Sequence, residues 1–123
     1  MTYGIGIDIV HIDRMRTVTE RWGHRFLKRV FTEQEISYCH RKQNPYPSLA
    51  VRFAAKEAFI KAIGAELPVS FTDIEIVIAP HGKPSLNFSE KINHHIKNKK
   101  IRAAHLSLSH DREYGVASVV LEQ

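Results

Sequence analysis

Apolar and polar positions alternate near the start of the chain, as they do in a β-strand. Residues 3 to 12 predict a strand with two unlike sides. One side carries Ile5, Ile7 and Ile9, and the other carries Gly4, Gly6 and Asp8. A carboxylate is rarely buried without a partner, and glycines beside it leave room for a close approach. Asp8 is therefore the first candidate functional residue.

Helical periodicity follows, from Asp13, the expected N-cap, to Val30, with a break expected at Gly23. An apolar stripe along this segment comprises Met15, Trp22, Phe26 and Val30. A neighbouring basic ridge comprises Arg14, Arg21, Arg25 and Lys28. The segment thus predicts two short helices that carry a basic face beside an apolar one.

Two further helices are predicted in the middle of the chain. A capping box formed by Thr32 and Glu35 predicts the start of a short helix. After a loop, Pro47 suits the first turn of a long helix that spans residues 48 to 63. Apolar residues surround nearly the whole circumference of this long helix, which predicts that it is buried.

The remainder of the chain has mainly the two-residue period of strands. Strands are expected at about residues 74–78, 85–88, 103–110 and 114–121, and a helix at about 90–97. The order of elements predicts an α+β fold, with a mainly antiparallel sheet packed against the long buried helix. A chain of 123 residues is expected to form a single domain that covers 1–123.

Composition and charge narrow the functional classes. The chain is 43% hydrophobic and 25% charged, as soluble proteins are, and no run approaches the roughly 20 apolar residues of a membrane span. The N-terminus lacks signal-peptide features and Cys39 is the only cysteine, so a cytoplasmic location is expected. A net charge of +5 predicts an anionic partner: nucleic acid, a phosphate-rich small molecule or an acidic protein.

The long helix carries charges that a buried helix does not need. They form two pairs at i, i+4 spacing, Arg52 with Lys56 and Glu57 with Lys61. A Glu57–Lys61 pair is common on exposed helices and then only stabilises the surface. However, Glu57 lies between Phe53 and Ile60 on one face, where a merely solvated glutamate is out of place.

Asp8 and Glu57 together suggest a metal site. Two carboxylates without thiols or paired imidazoles suit Mg²⁺, which fills its remaining positions with water and substrate phosphates. Lys61 and Arg52 could supply positive charge for such phosphates. This hypothesis requires the first strand and the long helix to meet.

Other chemical signals are weak. Ser109, His110 and Asp111 have the composition of a hydrolase triad. Consecutive strand residues point in alternate directions, however, and the chain has no GxSxG sequence, so we discount a triad. The chain also lacks a phosphate-binding glycine-rich motif and the ligand spacing of a zinc site.

Three stretches, taken in order, resemble one enzyme family. They are GIGIDIVHIDRM at residues 4 to 15, RFAAKEAFIKAIG at 52 to 64 and HLSLSHDREYGVASVVLE at 105 to 122. Together they are similar to holo-acyl-carrier-protein synthase, the small trimeric class of 4′-phosphopantetheinyl transferases. The resemblance covers essentially the whole chain, and the turn HGKPSL also fits it.

The resemblance implies a reaction and a site. The family moves the phosphopantetheine arm of coenzyme A to a serine hydroxyl of apo acyl carrier protein, in support of fatty acid biosynthesis. Asp8, Glu57 and Lys61 would be catalytic, with Asp8 and Glu57 binding Mg²⁺. The residues implied for coenzyme A are Arg52, Lys61, Gly82, Lys83, Pro84 and His105, with Arg41 or Lys42 for the 3′-phosphate. The family places this site between neighbouring subunits of a homotrimer.

The basic ridge of the first helices suits the protein substrate that the resemblance implies. Acyl carrier proteins are acidic, so the ridge and its apolar neighbours are expected to bind one. The partner-binding residues would be Arg14, Met15, Arg21, Trp22 and Arg25.

Two departures from the family and two rival functions complete the sequence evidence. His11 stands where the family more often has an acidic residue, and the segment after the long helix is short.

A basic RNA-binding module would explain the charge, but the chain lacks RNA-binding aromatic or GXXG motifs. A non-catalytic relative that only binds carrier protein would keep the basic face and need no metal. The RNA-binding alternative does not explain Asp8 or Glu57, and we expect no nucleic-acid partner.

Overall fold

The computed structural model describes residues 1–123 and contains every element that the sequence predicts, to within a few residues. The strands are β1 (Thr2–His11), β2 (Ile74–Ile78), β3 (Pro84–Phe88), β4 (Ala103–His110) and β5 (Tyr114–Glu122). The helices are α1 (Ile12–Trp22), α2 (His24–Val30), α3 (Glu33–His40), α4 (Tyr46–Ile63) and α5 (Glu90–Asn98), and a 3₁₀ turn covers Phe71–Asp73. The α+β fold class is confirmed.

The strands form two antiparallel sheets where the sequence suggested one. The larger sheet has the order β1-β5-β4, and the smaller pairs β2 with β3. Both predicted hairpins are present, but each belongs to a different sheet. None of the helices is both long and apolar enough to cross a membrane.

Helix α4 lies across one face of the larger sheet, and two glycines let it come close. A Cβ atom at Gly4 would overlap the carbonyl oxygen of Ala62, and one at Gly6 would overlap that of Ala58. The close approach expected on the glycine side of β1 is therefore made by the backbone of α4. This contact fixes Asp8, on the same side of β1, at the surface of the helix.

The opposite side of β1 is open. Ile5, Ile7 and Ile9 are 65%, 61% and 62% exposed, although isoleucine is usually among the most buried residues. On β5 they lie opposite Val120, Ser118 and Val116, which in turn lie opposite His105, Ser107 and Ser109 on β4. We call this the outer face of the larger sheet. A stripe of this kind on an otherwise polar surface is typical of an interaction site.

The charged side chains of α4 differ in how deeply they are buried. Lys56 is fully buried, and its ammonium donates to the carbonyls of Val30 and Phe71 and to Glu35 Oε1, at 2.7, 3.1 and 2.7 Å. Glu35 also accepts from the backbone N–H groups of Thr32 and Ile76. This ion pair therefore joins α3, α4 and β2 inside the core. The predicted capping box of α3 is confirmed and includes the same glutamate.

Two expectations for the first helices are wrong. The N-cap of α1 is His11, and Asp13 lies in the first turn, where it pairs with Arg16 at 3.4 Å. Met15 is only 4% exposed and belongs to a core cluster with Leu27, so it is not on the surface beside the arginines. The expected break at Gly23 is confirmed, with φ of +60°.

Candidate active site

The first strand and the long helix meet at Asp8 and Glu57. Asp8 lies opposite Ala117 of β5 and shares the α4 side of the sheet with Gly6. Glu57 precedes Ala58, whose backbone carbonyl lies against Gly6. The negative charge of Asp8 raises the pKa of Glu57, so the two carboxylates are neighbours across the contact between β1 and α4, as the metal hypothesis requires.

Lys61 completes this cluster. Its ammonium donates to Asp8 Oδ1 at 3.1 Å and to the carbonyl oxygen of Ile7 at 2.9 Å. It forms no ion pair with Glu57, so the i, i+4 surface pair considered from the sequence is absent. The lysine side chain is 54% exposed and that of Asp8 only 18%. The cluster thus opens to solvent on the lysine side.

The environment of Glu57 differs from that of an ordinary surface glutamate. Desolvation raises the pKa of its carboxyl, the negative charge of Asp8 raises it further, and Lys61 partly offsets both effects. Glu57 accepts no hydrogen bond from the protein. An ionised Glu57 therefore has an unbalanced negative charge that a cation would neutralise.

The donor set fits Mg²⁺. No group of three or more histidine, cysteine, aspartate or glutamate side chains could hold a metal by itself. Mg²⁺ is commonly bound by one or two carboxylates and completes its octahedron with water and phosphate oxygens. Two adjacent carboxylates, one of them without a partner, match that pattern.

A second cluster surrounds Tyr38. The guanidinium of Arg52 stacks over the Tyr38 ring at 4.5 Å, and Arg41 and Lys42 approach the same ring at 5.2 and 5.3 Å. Arg52 is 2% exposed, donates to the carbonyl of Ser48, and has no partner for its Nε atom. Tyr38 was not identified from the sequence, although the candidates Arg41 and Lys42 follow it by three and four residues and could have drawn attention to it.

This cluster borders a cavity of about 490 Å³. Arg41, Arg52 and Tyr38 line it, together with the carboxylates of Glu33, Glu35 and Glu75 and residues 76 to 78 of β2. An aromatic ring among cations suits a planar anionic ligand such as a nucleotide. Cys39, beside it in sequence, is buried, and burial raises its pKa to about 11.

The remaining residues predicted for coenzyme A lie elsewhere on the chain. Gly82 has φ of +92° in the turn between β2 and β3, with Lys83 exposed beside it and Pro84 opening β3. His105 is on the outer face and lies 3.7 Å from Glu122. Since Asp8 faces α4, Asp8 and His105 are on opposite faces of the sheet. One chain does not bring Lys83 or His105 into contact with the carboxylates.

The sequence SHD at residues 109 to 111 has a structural role. Asp111 accepts the backbone N–H groups of Glu113 and Tyr114, both at 2.7 Å, and these hydrogen bonds hold the pKa of its carboxyl below the ordinary value. The carboxylate therefore fixes the turn between β4 and β5. This arrangement supports the rejection of a hydrolase triad.

The basic ridge borders an apolar groove. The groove, of about 490 Å³, is lined by Val18, Trp22, Arg25, Phe26 and Arg29. Trp22 is 52% exposed and lies under the guanidinium of Arg21 at 5.2 Å. Arg14, Arg21 and Arg25 form no ion pair within the chain. The groove thus combines exposed apolar surface with unneutralised positive charge, and it contains Val18 and Arg29 where the sequence suggested Met15.

Comparison with known proteins gives consistent matches over the whole chain. The family model of the 4′-phosphopantetheinyl transferase superfamily matches residues 4–118. A holo-acyl-carrier-protein synthase from Halothermothrix orenii is 44% identical over 124 aligned residues, which cover 100% of this chain and 99% of the relative. A protein of the same name from Koribacter versatilis is also 44% identical, with 99% of each chain covered.

Solved structures agree. The crystal structure of a holo-acyl-carrier-protein synthase from Neisseria meningitidis superposes with a TM-score of 0.92 at 34% identity, covering 100% of both chains. The Bacillus anthracis protein of that name, in complex with CoA (3′,5′-ADP), superposes with a TM-score of 0.82 at 37% identity, covering 100% of this chain and 98% of the other.

Proposed function

The chain belongs to the 4′-phosphopantetheinyl transferase superfamily as a holo-acyl-carrier-protein synthase, and from this we propose that it transfers the phosphopantetheine arm of coenzyme A to a serine of apo acyl carrier protein in an Mg²⁺-dependent reaction. Adenosine 3′,5′-bisphosphate is the second product. We propose that the enzyme acts in the cytoplasm, in support of fatty acid biosynthesis. The observation that carries the proposal is the meeting of Asp8, Glu57 and Lys61 across the contact between β1 and α4.

In this proposal the residues of the cluster have separate roles. Asp8 and Glu57 would hold the cation, which would supply positive charge to the pyrophosphate of coenzyme A. Lys61, half exposed at the edge of the cluster, contacts the phosphate under attack. Glu57 has a raised pKa and is a candidate acceptor of the serine proton. Phosphoryl transfer needs positioning and charge neutralisation more than a covalent nucleophile.

The cavity beside Tyr38 is the proposed site for the nucleotide end of coenzyme A. Arg52 and Arg41, which both line the cavity, are the cations proposed for a phosphate there. The same proposal assigns Gly82, Lys83, Pro84 and His105 to coenzyme A. Since these residues do not reach Asp8 within one chain, the proposal places them in the site of a neighbouring subunit.

The outer face of the larger sheet supports the proposed homotrimer. Burying an isoleucine side chain stabilises an assembly by about 1.5–3 kcal/mol. Three isoleucine side chains of this face lie in one row and are each more than 60% exposed. We expect Ile7→Lys to convert the trimer to monomers in sedimentation analysis. Asn98→Lys is the control, because Asn98 is exposed at the end of α5 and is not on the outer face.

The groove beside Trp22 is the proposed docking site for the acidic carrier protein. Arg25→Ala should raise the KM for carrier protein and leave the KM for coenzyme A unchanged, and the effect should shrink with added salt. Lys97→Ala, at an exposed and unpaired lysine of α5, is the matched control. Equal effects of the two substitutions would contradict this docking site.

The first experiment on the proposed function is a mass measurement. Apo acyl carrier protein is incubated with the enzyme, coenzyme A and Mg²⁺, with EDTA in a parallel sample. A gain of one phosphopantetheine arm is expected only with Mg²⁺, and Asp8→Asn should abolish it without unfolding the protein. Asp13→Asn is the control for loss of a carboxylate, since Asp13 is exposed on α1. Product formation in EDTA would refute the metal requirement.

A further inference from the structure

Lys61 binds the residue that the proposed function gives to the metal. Its ammonium lies between Asp8 Oδ1 and the carbonyl oxygen of Ile7, and Asp8 has no other ion-pair partner. Asp8 is largely enclosed, whereas the lysine side chain is 54% exposed. The lysine can therefore leave the aspartate for solvent or for a ligand at low cost, while the aspartate cannot follow it.

We propose that Lys61 is a built-in counter-ion for Asp8 in the metal-free protein, which the divalent cation must displace. This inference rests on the proposed function, in which Asp8 and Glu57 hold Mg²⁺. It adds that Lys61 lowers the affinity for the free metal ion. Lys61 thus holds Asp8 in position in the metal-free protein and contacts the substrate in the proposed reaction.

The charges of the cluster support competition. Without metal, two carboxylates face one ammonium, so the cluster has a net charge of about −1 with both carboxylates ionised. A divalent cation at Asp8 would lie close to the ammonium, and their repulsion is strong in a partly enclosed site. Lys61 also occupies one of the acceptor positions of Asp8 Oδ1. Cation and ammonium therefore cannot both bind Asp8 at full strength.

Displacement also links the metal to the substrate. A released Lys61 stays at the end of α4, near the carbonyl of Ile7, with its ammonium free to bind a new anionic partner. A phosphate of the substrate provides one. Because binding of either ligand then makes binding of the other more favourable, metal and phosphate-bearing substrate bind cooperatively.

The test measures the affinity of the protein for Mn²⁺ alone, by electron paramagnetic resonance of the free ion at constant ionic strength. Lys61→Met keeps most of the aliphatic stem and removes the charge, so Mn²⁺ should bind about tenfold more tightly than to the wild type. Lys61→Arg keeps the charge and should stay within about twofold of the wild type. Asp8→Asn should lose the binding.

Each other outcome has a definite meaning. Equal or weaker binding by the Lys61→Met variant, with binding still lost in Asp8→Asn, would overturn this inference and leave the metal proposal standing. Absence of Mn²⁺ binding in every variant would overturn both. A folding defect lowers affinity, so tighter binding by the methionine variant cannot arise from misfolding.

Discussion

Replacing Gly6 by alanine should be the most disruptive small change in the larger sheet. At a permissive position, glycine to alanine stabilises a protein by about 0.4–1 kcal/mol because it restricts the unfolded chain. At Gly6 the added Cβ would overlap the carbonyl oxygen of Ala58 and lie 2.7 Å from its carbonyl carbon. Carbon atoms in contact lie about 3.5–4.0 Å apart, and the overlap with the oxygen is deeper still, so α4 would have to retreat by more than about 1 Å.

The loss of stability for each glycine substitution depends on which atoms have to move. Backbone atoms of a buried helix cannot rotate away, so the cost of Gly6→Ala should reach about 3–5 kcal/mol, above ordinary overpacking. Gly4→Ala meets Ala62, near the end of α4, where the helix yields more easily, and should cost about 2–3 kcal/mol. Gly115→Ala meets Val51 Cγ1 at 2.9 Å and the Val51 backbone nitrogen at 3.2 Å, a shallower overlap than at Gly4 or Gly6, and should cost about 1–2 kcal/mol.

The assay is urea unfolding of the three variants, followed by far-UV circular dichroism and by the fluorescence of Trp22. The same retreat would separate Asp8 from Glu57, so Mn²⁺ binding should weaken in Gly6→Ala more than in Gly115→Ala. Wild-type stability of Gly6→Ala, or a larger loss in Gly115→Ala, would refute the account of how β1 and α4 are packed.

Three further predictions concern buried and titrating groups. Lys56→Met leaves Glu35 charged and unpaired in the core, so unfolding experiments should show a loss of about 3–5 kcal/mol. Because the pKa of Glu57 is raised in the folded protein, its stabilising effect is present below the ordinary value of 4.5 and is lost as the pH rises through the folded value. Glu57→Gln should therefore raise the Tm of metal-free protein at neutral pH, with the difference vanishing below pH 4.5. Cys39, with its pKa near 11, should react with a thiol reagent only after unfolding, and rapid labelling of the folded protein would contradict its burial.

Periodicity in the sequence predicts the elements of this fold well, because each element has a strong local signal. The capping box before α3, the turn residues of both hairpins and the two-residue alternation of β1 need no tertiary information. Alternation identifies two sides of β1 but not which side is covered. The informative signal is in α4, where Ala58 and Ala62 recur at i, i+4 and match the glycine spacing.

Side-chain pairing is harder to predict, because it depends on distant parts of the chain. The sequence shows four charges on α4, but the partner of Lys56 is 21 residues away on α3 and that of Lys61 is 53 residues away on β1. Met15 fits either a surface stripe or a core position by its spacing. Only packing against Leu27 and its neighbours decides that it is buried.

The alternation of β1 limits how this protein can change. Ile7 and Asp8 are consecutive, yet one points to the outer face and the other to α4. Inserting or deleting one residue before Asp8 would exchange the sides of every preceding residue. Isoleucines would then meet α4, and the gap made by the glycines would open to solvent. The length of the stretch from Gly4 to Asp8, over which β1 pairs with β5 in unbroken register, therefore cannot drift, and it should keep a constant residue count wherever this site is retained.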